Sequence, residues 1–187
     1  NAPLLAAGIL LACGTMFPRI LLYCLVINRE LITLLWLPVL LMTLSLYLPA
    51  IVMNLRHTKA DVSHPDLAKN PLELRSALIL GGLLVIILLL TEWLQQEMGS
   101  TGVYLLAAIS GITDVDAISL SLSRMSLGDS LTLTVAATGI LIAVTVNNLF
   151  KAGLAMVIGK PALGIRVSLA MLLSLIIGAL SLWLMAP

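Results

Sequence analysis

At six places this chain runs for about twenty residues with few charges, and a helix of that length crosses the ~30 Å hydrocarbon layer of a bilayer. The stretches are Leu4 to Ile27, Leu31 to Met53, Leu74 to Leu94, Val103 to Met125, Leu131 to Ile158 and Ile165 to Met185. Hydrophobic residues make up 60% of the chain, charged ones only 10%, and the mean hydropathy is +1.14, so one soluble core could not hide the apolar surface. Lipid is the solvent this composition requires. Backbone in lipid must bond to itself, and no alternating pattern of barrel strands is present, which leaves helices as the spanning elements. The expectation is an all-α integral membrane protein with about six transmembrane helices.

The formal net charge of +1 argues against a nucleic-acid partner. Cys13 and Cys24 fall on one expected helix roughly 16 Å apart, too far for a disulfide, and read as small apolar fillers. The sizeable polar loop, Asn54 to Glu73, holds His57 and His64 among Lys59, Asp61, Asp66 and Lys69. No cysteine or helical histidine spacing accompanies them, so the loop reads as solvated rather than as a metal site. It closes with Asn70-Pro71-Leu72-Glu73, a capping residue followed by a proline and a glutamate, which starts the third helix near Pro71. Arg56, Lys59, Lys69, Arg75 and Arg124 on one side outnumber Arg29, Lys160 and Arg166 on the other, which favours both chain ends on the cytoplasmic side. The chain opens at Asn1-Ala2-Pro3 and enters an apolar run at once, so an upstream piece is expected to belong with it.

Sliding the chain on itself by 131 residues aligns Gly8-Ile9-Leu10-Leu11-Ala12 with Gly139-Ile140-Leu141-Ile142-Ala143 and Arg29 with Lys160. Segments one and two then match segments five and six, as in membrane proteins built from repeated units. On this reading residues 1–187 form a single polytopic membrane domain, with 1–53 ending a first repeat, 54–73 a polar loop and 74–187 a second repeat.

Segment four carries two carboxylates in Gly111-Ile112-Thr113-Asp114-Val115-Asp116-Ala117. Charges at such a depth are costly and generally functional. Gly111 can close one half-helix, Thr113 or Asp114 can cap the next, and Asp116 can satisfy further amides, so an interrupted helix is expected. Half-helix ends of this kind bind ions or polar substrates in transporters. Asp116, Ser119 and Ser123, spaced i, i+3 and i+7, place a carboxylate and two hydroxyls on one face.

Lys151 precedes the helix end at Lys160 by nine residues, roughly 13 Å, and Arg19 lies at matching depth in the other repeat. Each can snorkel to the headgroups or turn inward to meet a carboxylate. Asn147 shares a face with Lys151, and Asn148 and Thr145 form a neighbouring polar strip. The candidate ion- or substrate-binding residues are therefore Asp114, Asp116, Ser119, Ser123, Asn147, Asn148, Lys151 and Arg19.

The chain resembles a known family, the domain-of-unknown-function family 4010. The resemblance is carried by Asn70-Pro71-Leu72-Glu73-Leu74-Arg75 with Ala77-Leu78, by Gly102-Val103-Tyr104-Leu105-Leu106-Ala107, by Ser110 to Leu122 with Arg124, and by Asn148, Lys151 and Gly159. These membrane domains are commonly found C-terminal to an MgtC/SapB-type membrane domain, which the resemblance implies as a partner. It also implies that this chain corresponds to the C-terminal portion. An earlier half there carries a Ser-Ser-Thr-Ala-Val-Thr helix where this half has Asp114-Val115-Asp116-Ala117-Ile118-Ser119.

Two function classes follow. One is a transporter or channel-like protein for a small ion or polar solute, with the aspartates as ligands or proton carriers and Lys151 and Arg19 as counter-charges. Two acids facing two bases suit either a cation exchanged against a proton or an anion held by the basic pair. The other is a non-transporting membrane scaffold or regulatory partner whose charges fix helix register, assembling with an MgtC/SapB-type domain or as a homo-oligomer. A transporter should have a water-accessible cavity reaching Asp116; a scaffold should have its charges paired and dry. No phosphate loop, nucleophile elbow, zinc-binding helix or Cys/His cluster is present, so neither enzyme activity nor a cofactor is expected. The expected location is the bacterial inner membrane.

Overall fold

The computed structural model describes residues 2–56, 74–128, 130–158 and 161–185, and all of its regular structure there is helical. In chain order the helices are α1 (Ala2–Gly14), α2 (Met16–Ile27), α3 (Glu30–Arg56), α4 (Leu74–Met98), α5 (Ser100–Thr113), α6 (Asp116–Met125), α7 (Leu133–Ile158) and α8 (Pro161–Met185). The expected loop histidines, the helix start at Pro71 and Lys160 lie outside the described residues.

Four helical stretches of the described residues are long and apolar enough to cross a membrane: Leu4–Ile27, Glu30–Leu55, Leu133–Val157 and Pro161–Ser181. Of the six expected segments, the third falls in α4 and is not among these four, and the fourth is divided into α5 and α6, neither of which spans alone. Large apolar side chains such as Leu22, Leu48, Leu89, Ile109, Leu169 and Ile176 stand exposed, as lipid-facing helices require.

Segment one differs from the continuous helix that its hydropathy suggests. Pro18 has no N–H to donate to Gly14, and its ring crowds that carbonyl, so α1 stops at Gly14 and α2 restarts at Met16. Thr15 bridges the break, its Oγ1 donating to the Ala12 carbonyl at 2.7 Å. Both cysteines are free and buried.

The 131-residue offset carries the outer bounds of α1 and α2, Ala2 and Ile27, onto those of α7, Leu133 and Ile158, and the start of α3 onto the start of α8. The packing follows the same correspondence: α1 lies on α3, α7 lies on α8, and α3 and α8 lie on each other. Small residues permit the close approaches. A Cβ at Gly14 would sit 2.5 Å from the Tyr47 ring, and one at Gly164 would sit 2.7 Å from the Ala155 carbonyl oxygen. Between α3 and α8, the Ser174 hydroxyl donates to the Met42 carbonyl at 3.2 Å. Such a bond compensates a hydroxyl buried among apolar helices.

α5 and α6 both pack on α4, and the three join the other helices through α7 and α2. Gly99 (φ 61°), in the left-handed region that suits glycine, turns α4 into α5, and Gly102 then lies against the Leu94 backbone. From that turn α5 packs on α4 and α7. α6 barely touches α5 but packs on α4, α7 and α2, and its Leu122 meets Gly139 of α7 where Val103 and Ala107 of α5 also lie, so the expected fourth segment is interrupted and the chain turns back at the break.

Candidate functional site at the broken helix

The interruption falls where the sequence places it, and its chemistry is local. Asp114 ends α5 in an extended conformation (φ −152°, ψ 136°), its N–H still donating to the Ser110 carbonyl at 2.9 Å. Its Oδ1 accepts the Asp116 N–H at 3.0 Å, which satisfies one of the free amides that open α6. Asp114 is therefore the cap.

Gly111 has another task than the expected helix stop. It stays within α5, and a Cβ there would lie 2.5 Å from the carbonyl oxygen and 2.9 Å from the Cα of Ala143 on α7. The glycine lets two backbones meet, the usual use of small residues between membrane helices. Its carbonyl accepts the Asn147 Nδ2–H at 2.7 Å, which locks α7 to the end of α5.

Asp116 opens α6, where the helix dipole favours a carboxylate. Its Oδ2 pairs with Arg19 Nη2 of α2 at 2.7 Å; the Asp116 side chain is 16% exposed and that of Arg19 is 52% exposed. Of the two expected counter-charges, Arg19 makes the bond. Lys151 is half-buried and close enough for its charge to act on Asp116 and on Cys13, but it forms no ion pair with either aspartate. No charged side chain among the described residues is fully buried.

The serine face divides in use. Ser119 is fully buried with no hydrogen-bond partner for its Oγ among the described residues. Ser123, also fully buried, lies 3.6 Å from the Cys24 Sγ and belongs to the contact between α6 and α2. Sequence reasoning missed the rest of that contact: Asn28 Nδ2, just past the end of α2, donates to the Ser126 carbonyl at 3.1 Å and to its Oγ at 3.0 Å. Both residues sit in short turns without a helical period, so only their meeting in space gives them away. Cys24 likewise does more than fill space. The structure thus brings Asp114, Asp116, Arg19 and Asn147 to the break, spends Ser123 on packing and leaves Lys151 unbonded to the acids.

Several buried polar atoms lack partners among the described residues: Asp116 Oδ1, Ser119 Oγ, Asn147 Oδ1, both amide atoms of Asn148, and Gln95 Oε1 on α4. Asn148 is fully buried and Asn147 is 4% exposed. Buried polar groups without partners are rare in proteins and call for an explanation. A cleft of about 440 Å³ between α3, α7 and α8 is lined by apolar residues such as Met42, Leu141 and Ile176 together with Thr138 and Thr145. Asp116 is not among its lining residues.

The sequence profile of the family described as "Domain of unknown function (DUF4010)" matches residues 1–159. The chain belongs to this family. It is similar to an "Uncharacterized protein" of Aquifex aeolicus (strain VF5), 36% identical over 170 residues that cover 90% of this chain and 74% of the relative. No solved structure matches. The family match includes the broken helix, Arg19, the asparagine pair and Lys151.

Proposed function

We propose that the protein is a transporter or channel-like protein for a small ion or polar solute, working at the broken helix. Asp116 is its central ligand, Ser119, Asn147 and Asn148 line it, and Arg19 and Lys151 are the counter-charges. One observation carries the reading: a carboxylate at a half-helix start is held by a half-exposed arginine, beside buried polar atoms that nothing in the described residues satisfies. An interrupted membrane helix exposes polar backbone at a cost, and a binding function is what commonly offsets it. The Aquifex relative supports a bacterial inner membrane as the location, and no enzymatic step is assigned to the site.

The experiment is Asp116→Asn, which removes the charge and keeps the shape. Solute flux into proteoliposomes should be abolished, while membrane insertion and thermal stability in detergent stay near wild type. A second reading, the scaffold or regulatory partner, is favoured by two observations: Asp116 is paired with Arg19, and the cleft between α3, α7 and α8 does not reach it. Normal flux in Asp116→Asn, together with loss of an MgtC/SapB-type partner or of self-association in pull-down, would establish that reading instead.

A further inference from the structure

Of the buried side-chain atoms without partners among the described residues, five are oxygens and one is a nitrogen. Four of the oxygens, on Asp116, Ser119, Asn147 and Asn148, belong to α6 and α7, which pack on one another. Their level on the two helices agrees. The Asn147 amide is fixed to the Gly111 carbonyl three residues before the cap Asp114, so its own Oδ1 lies beside the break. Asn148 is the next residue of α7 and is fully buried. Ser119 stands one turn after Asp116 on the same face of α6.

An excess of acceptor oxygens suits a species that brings positive charge or donors, and hard oxygen ligands suit an alkali-type cation. The charge is wrong for a divalent ion. A single carboxylate already shared with an arginine, surrounded by neutral amides and a hydroxyl, does not supply the several carboxylates that hold calcium or magnesium. Among the described residues no group of three or more His, Cys, Asp or Glu side chains could hold a transition metal. We infer that Asp116, Ser119, Asn147 and Asn148 form a monovalent-cation site, with Arg19 as the resident cation that competes for it.

This inference rests on the proposed binding role of the broken helix and names its substrate class. Its mechanism is an exchange of partners. The Arg19 guanidinium neutralises Asp116 from a half-exposed position, and a cation entering against Oδ1 takes over part of that charge and loosens the pair. Lys151, within electrostatic range, sets a second limit on how tightly the entering charge is held.

The test uses the full chain in a non-ionic detergent. Thermal unfolding is followed in NaCl, KCl and choline chloride at equal ionic strength, with bound sodium-22 or rubidium-86 measured in parallel. The wild type should show saturable stabilisation by sodium or potassium over choline. Asp116→Asn should lose it, and Ser119→Ala should weaken it if Asn148→Ala proves too unstable to measure. Arg19→Gln should bind the cation about tenfold more tightly, because the internal competitor is gone; a pair with a purely structural role would give no such gain. Equal behaviour in all three chlorides with no bound tracer overturns the inference, as does cation binding that survives Asp116→Asn. A dependence on the anion, seen by exchanging chloride for gluconate, also overturns it. Cation binding without flux would keep this inference and sink the transport reading, whereas flux without cation dependence would do the reverse.

Discussion

α7 and the α1–α2 pair correspond at the 131-residue offset, yet they are used in opposite ways. On α7, Gly139 and Ala143 form a small-residue face that is fully occupied: a Cβ at Gly139 would lie 2.7 Å from the Leu122 side chain, and Ala143 meets the backbone of Gly111. At the 131-residue offset the equivalents on α1 are Gly8 and Ala12, and both are exposed, with nothing within 4 Å of a Cβ at Gly8. α7 runs unbroken and presents amides to the break, whereas α2, set apart from α1 by Pro18, presents a guanidinium. The difference teaches that a helix face acquires its role from what is laid against it: the same glycine is a close-packing contact in one repeat and an uncovered surface in the other.

The sharpest way to break the comparison is Gly111→Ala. The new methyl would meet the Ala143 backbone, which cannot swing aside as a side chain can, and the bond from Asn147 would be strained. Stability in detergent should fall by about 1–3 kcal/mol. An unchanged melting temperature would mean that α5 is not seated on α7 as described.

A smaller effect is expected at Asp114, whose carboxylate caps the half-helix that both α2 and α7 hold. Asp114→Ala should cost about 1 kcal/mol, and Asp114→Asn much less, since an amide oxygen accepts the same bond. Equal losses in the two variants would show that charge rather than capping matters there.

The smallest effect should come from Gly8→Ala. With open space around it, this change should leave stability unchanged or raise it by up to about 1 kcal/mol through helix propensity. Gly139→Ala, which must displace Leu122, should destabilise. If the two glycines respond alike, the contrast between the repeats collapses.

Much of this was legible in the chain. The helix break could be read because Gly111, Thr113 and Asp114 are residues that end and cap helices, and Asp114 does cap. The ends of several helices could be read because the apolar runs begin and end at charged or small residues, as just past Ile27 and Ile158. Other features depend on tertiary neighbours that no local period reveals. Whether Gly111 stops a helix or admits a neighbour is decided by Ala143, far away in sequence. Depth marked both Arg19 and Lys151 as candidate counter-charges, but which of them reaches Asp116 depends on the path of α2 after the Pro18 break. The fourth segment parts for a related reason: hydropathy reports an apolar stretch, and Asp114 cuts that stretch in two.

Asp114 and Val115 are the whole connection between α5 and α6. The end of α5 is bolted to α7 by the Gly111 carbonyl and its contact with Ala143, while α6 is bolted to α2 by the arginine pair at its start and by Asn28 just past its end. α6 also rests on α4 and on α7, where Leu122 covers Gly139. In mechanical terms the connection is a joint between two members clamped to different frames. Any shift of α2 against α7 loads the φ and ψ torsions of these two residues first, and Asp116, the residue next to the joint, moves with the shorter arm.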